Sequence, residues 1–75
     1  MRPLYEIASE IRSDWKKVSP YAAPYLSAMS TLRSIEDNYI FDSGRSIVSY
    51  FLANAGTWKG ETARRIKAEL KSMLN

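Results

Sequence analysis

The chain contains no cysteine and no histidine. The first absence excludes disulfides, thiolate metal sites and cysteine nucleophiles; the second removes the commonest metal ligand and the usual proton shuttle at neutral pH. No apolar run approaches the roughly 18 residues needed to span a membrane, and the opening residues lack the charged-then-apolar pattern of a secretory signal. Without a cysteine, and with Arg2 after Met1, lipid attachment has no sequence handle. These absences together predict a cytoplasmic protein that does not bind membranes.

With 75 residues, the chain makes one small domain, able to withdraw only about 60 to 65% of its extended surface from water. It is 45% hydrophobic, with two Trp, five Tyr and two Phe, which is enough for a core without a covalent staple and far from the composition of a disordered chain.

Two stripes at helical spacing bracket the sequence. Leu4, Ile7, Ala8, Ile11, Trp15 and Val18 form the first, and Trp58, Thr62, Ala63, Ile66, Leu70 and Met73 the last. Each stripe needs a partner to cover it. The spacing predicts a first helix over Pro3 to Lys17, stopped by Ser19 and Pro20. A second is expected over Tyr21 to Arg33, with Ser19 as its cap and a start at Ala23 or Pro24 as the competing boundary, because proline restricts the residue before it.

In Ser34 to Phe41, the turn-forming Glu36, Asp37 and Asn38 interrupt the apolar Ile35, Tyr39, Ile40 and Phe41. A single short strand there has no sheet partner elsewhere, so the segment reads as a packed connection. Asp42 is the expected cap of a third, central helix over Ser43 to Asn54. Ala55 and Gly56 end that helix, and Thr57 then caps a fourth, beginning at Trp58, with Gly60 in its opening turn. The fold class that follows is all-α: a compact bundle of four helices with a tight hairpin between helices three and four. Ile11, Trp15, Leu26, Met29, Ile47, Phe51, Ile66 and Leu70 are the expected core.

The net charge of +3 is unevenly spread. Lys59, Arg64, Arg65, Lys67 and Lys71 against Glu61 and Glu69 give residues 57–75 a balance of +3, whereas residues 1–19 carry +1 and residues 20–56 carry −1. Arg64, Lys67 and Lys71 are three and four apart and make a basic stripe opposite the apolar face. Arg12 and Lys16 form a smaller like-charged pair on helix one. These five residues are the candidate contacts to nucleic acid or to an acidic partner. Glu61 with Arg65, and Arg65 with Glu69, are expected to pair along helix four.

Reactive chemistry is harder to assemble. Glu6 and Glu10 lack further ligands for a metal, Glu36, Asp37 and Asp42 are explained by capping, and the serines have neither a histidine base nor a nucleophile elbow. Asp42 to Ser46 resembles an anion-binding helix start, but capping explains it more simply. No enzyme activity, cofactor, metal or small-molecule substrate is expected. The sequence points to a small non-enzymatic macromolecular interaction protein, of which a regulatory accessory factor is one form, with a protein partner or a second copy favoured over nucleic acid. The alternative is a DNA-binding module whose helix-turn-helix-like pair, about 43–54 and 58–73, contacts phosphates.

Overall fold

The computed structural model describes residues 1–75. It contains helices α1 (Leu4–Asp14), α2 (Ala23–Met29), α3 (Gly44–Ala53) and α4 (Glu61–Leu74), with strands β1 (Asn38–Tyr39) and β2 (Asp42–Ser43) between α2 and α3. Helices hold 56% of the chain. Twenty apolar residues form one continuous core, and all eight of the expected core positions belong to it. Neither α4 nor any other helix is long and apolar enough to cross a membrane.

The tryptophans set several boundaries that periodicity alone misplaces. α1 ends at Asp14, before the expected Lys17, because Trp15 leaves helical geometry and turns into the core. There its ring stacks on Trp58 at 5.7 Å and meets the edge of Phe51 at 6.3 Å. The Trp58 indole N–H donates to Asp14 at 2.8 Å, so the end of α1 is pinned to the chain preceding α4. At the other end of α1, the amides of Leu4 and Tyr5 donate to the carbonyls of Arg33 and Leu32.

α2 starts at Ala23, the competing boundary rather than Tyr21, and ends at Met29, short of the expected Arg33. Ser19 organises the turn before it, accepting from the amides of Ala22 and Ala23 through its carbonyl and from Tyr21 through its hydroxyl. After Met29 the hydroxyls of Ser30 and Thr31 donate back to the carbonyls of Ser27 and Ala28. Such local bonds compete with helix propagation and stop α2 well before Arg33.

The all-α expectation is corrected by residues 38–43. They form an antiparallel two-stranded sheet with Asn38 opposite Ser43 and Tyr39 opposite Asp42. The partner strand begins four residues further along the chain, at Asp42, just beyond the segment read as a packed connection. Ile40 and Phe41 make the turn.

Ser43, rather than Asp42, caps α3, its hydroxyl accepting from the Ser46 amide at 3.1 Å. Gly44 follows at a point of close backbone approach: a Cβ there would lie 2.7 Å from the Ser34 carbonyl oxygen and 2.9 Å from the Ile35 Cα. Its amide donates to Asp37 and that of Arg45 to Ile35. The front of α3 is thus tied to residues 34–37, and its amides are already occupied by the chain. The anion-binding reading of Asp42 to Ser46 is not supported by this geometry.

The tight hairpin is also corrected. Seven residues, 54–60, separate α3 from α4, because Trp58 must leave the helix to join Trp15 and Phe51. α4 starts only at Glu61, with Gly60 outside it at φ 111° and no side-chain cap. Thr57 does not cap α4, and Gly56 does not adopt the left-handed conformation.

Candidate functional site

α4 buries Ala63, Ile66, Leu70 and Met73, which turns its charged residues outward or towards α1. The i,i+4 pairs expected along α4 are replaced by pairs across helices. Arg2 grips Glu69 through two nitrogens, at 2.7 and 3.0 Å, and reaches Glu10 at 2.8 Å. Arg65 also bonds to Glu10. The hydrogen bonds from Arg2 hold the Glu69 carboxyl below the usual carboxylate range, those from Arg65 and Arg2 do the same for Glu10, and both partners raise Arg2 in turn. This network clamps α1 to α4 and consumes Arg65.

The five candidate contacts do not form one surface. Arg12 lies on α1 and donates to the Ser27 hydroxyl at 3.1 Å, and Lys16 lies beyond the end of that helix. Arg64 and Lys71 are exposed, whereas Lys67 is half-buried. The Lys67 ammonium donates to the Trp58 carbonyl at 2.7 Å and lies 5.8 Å from the centre of the Trp58 ring. Burial, and then the neighbouring Lys59 and Lys71, push its pKa down. Ion pairs engage only Arg2 and Arg65 among the cations, so Arg64, Lys67 and Lys71 remain without carboxylate partners.

The structure also exposes a surface that the sequence reading treated as packed. Phe41 is 98% exposed and Ile40 75%. Ile40 has φ 57°, the one positive φ at a non-glycine residue in the chain. Two-residue hairpin turns favour Gly, Asn or Asp where φ is positive. A β-branched side chain in this region is a conformational outlier that costs on the order of 1–2 kcal/mol. Here strain and exposed apolar surface coincide on two adjacent residues. Sequence reasoning missed the site because Ile and Phe signal burial; the available clue was their position between Asn38 and Asp42, both turn-forming types.

The other aromatics are better covered. Tyr25 and Tyr50 stack across α2 and α3 at 5.4 Å, although Tyr50 keeps about half its surface in solvent. Tyr21 is largely exposed, on the turn before α2.

No polar or charged residue is buried, and no group of three or more Asp or Glu side chains is placed to hold a metal ion. The larger of two surface concavities, about 590 Å³, lies beside Pro3, Ser34 and Met73 and is edged by Arg2, Arg33 and Arg45. Arg45 there donates to the Leu74 carbonyl at 2.7 Å. No protein-family model, curated protein or solved structure matches this chain.

Proposed function

We propose that this protein is a small non-enzymatic binding module, cytoplasmic in setting, that contacts another protein through the hairpin tip at Ile40 and Phe41. The supporting observation is the strained, solvent-exposed tip: hydrophobic burial does not explain Phe41, and turn propensity does not explain Ile40. Exposed apolar side chains of this kind acquire a favourable role when a partner removes them from water, and aromatic anchors contribute disproportionately to such contacts. A non-enzymatic role accords with the titrating groups. Those with displaced pKa values belong to the α1–α4 clamp or to the packing of Lys67 on Trp58, so their perturbation has a structural explanation.

The DNA-binding alternative has less support. Its tight turn is a seven-residue connection, and the buried Trp58 occupies the place where a recognition helix would begin. The unpaired Arg64 and Lys71 are the features that favour it.

Photo-crosslinking tests the proposal. A benzoylphenylalanine at position 41, introduced in the native cells, is expected to give discrete protein adducts that the same group at exposed Ser13 does not. Equal labelling at both positions, or none at 41, would contradict a contact through the tip. A singly crosslinked dimer of the chain would identify the partner as a second copy.

A further inference from the structure

We propose that the concavity between the α3–α4 connection and the start of α4 binds a phosphate-type oxyanion through Lys59, Arg64 and Lys67. This site is separate from the hairpin tip and does not depend on the protein-binding reading. The concavity is about 380 Å³, and those three cations line it together with the small residues Gly56, Gly60 and Ala63. No carboxylate lines it. Three cationic residues therefore border one concavity where residues with little or no side chain leave room.

Folding explains only part of this arrangement. Gly60 requires its positive φ, but Gly56 has no such requirement, and a Cβ added at Gly56 would meet nothing within 4 Å. The openness beside Gly56 is thus not imposed by packing. Lys67 has a structural tie, to the Trp58 carbonyl, but that carbonyl supplies no full negative charge. Burial disfavours the charge on Lys67, and Lys59 and Lys71 add repulsion. Arg2 and Arg65 have carboxylate partners across the α1–α4 seam, whereas none of the three cations lining this concavity has one.

An oxyanion with several negative oxygens would relieve this repulsion and accept hydrogen bonds from more than one cation. Arginine supplies a planar fork suited to phosphate, and lysine a mobile point charge. One carboxylate could not compensate three cations equally well. The recognised chemistry is therefore phosphate, borne either by a small molecule or by a polynucleotide backbone.

The test is an amide NMR titration of the full chain with pyrophosphate, ionic strength being matched with sodium chloride. Saturable shifts centred on Gly56, Lys59, Gly60 and Arg64 are expected. Arg64→Gln and Lys67→Gln should each weaken binding by about tenfold, the effect of losing one charge-assisted hydrogen bond, while Phe41→Ser should leave it unchanged. Arg64 is exposed, so its variant keeps the test valid if the Lys67 variant perturbs packing around Trp58. Shifts matching those in sodium chloride alone, or distributed equally over Arg12, Lys16 and Lys17, would overturn the proposal. A parallel titration with a short oligothymidylate distinguishes the sources: binding competed by pyrophosphate assigns the site to a polynucleotide backbone, and pyrophosphate binding without oligonucleotide binding assigns it to a small phosphate compound. The phosphate site and the protein-binding tip can fail independently, since crosslinking at position 41 reads neither arm of this titration.

Discussion

The α1–α4 side and the hairpin tip use their residues in opposite ways. On the first, Trp15, Phe51 and Trp58 pack ring against ring, the Trp58 indole has Asp14, and Arg2 and Arg65 have Glu69 and Glu10. On the second, Ile40 and Phe41 face solvent from a backbone conformation that resists isoleucine. A fold accounts for the first set by itself. The second becomes intelligible when its surface is needed by something outside the chain.

Substitutions can test this contrast, beginning with the interior. Phe51→Ala should destabilise by roughly 3–5 kcal/mol, because it opens a cavity among the tryptophans. In a domain this small, that is enough to unfold much of the population, which circular dichroism and denaturant titration would detect. Gly44→Ala is expected to cost about 2–3 kcal/mol, since its Cβ would encounter backbone atoms that cannot rotate away. A Gly44→Ala chain as stable as wild type would break the assignment of that close approach.

The ion-pair clamp predicts a pH dependence. Glu10 and Glu69 have folded pKa values below their ordinary 4.5, so their contribution to stability is present above that value and is lost as pH falls through the lower folded values. Arg2→Met should flatten the acid limb of a stability–pH profile while changing little of its shape above neutrality. An unchanged acid limb would show that the clamp does not carry the effect.

At the tip the sign should reverse. Ile40→Gly is expected to stabilise the isolated domain by about 1 kcal/mol, as relief of the left-handed strain exceeds the added entropy cost of glycine. Phe41→Ser should change stability least, by no more than about 0.5 kcal/mol, because the ring is already in water. The same two substitutions should nevertheless abolish partner binding at the tip.

The contrast also explains what could be read from sequence. Ile7, Ile11, Ile66 and Leu70 recur at helical spacing and are buried as that spacing requires. The helix ends were harder to place, because Trp15 and Trp58 satisfy the same periodicity yet leave the helices to stack on one another. The hairpin was obscured for another reason: its strands have two residues each, and its turn lacks the glycine or asparagine that announces such a structure. Arg64, Lys67 and Lys71 were legible as a basic stripe from their spacing. The attachment of Lys67 to the Trp58 carbonyl and the addition of Lys59 required the fold, since the connection over 54–60 brings them together.

The most direct measurement is the equilibrium unfolding of the Ile40→Gly, Phe41→Ser double variant against wild type in denaturant. If the tip is retained for a partner, the isolated double variant will be at least as stable as wild type. A loss exceeding about 1 kcal/mol, well beyond ordinary surface effects, would show that Ile40 and Phe41 support the fold and would contradict the assignment of the tip to binding.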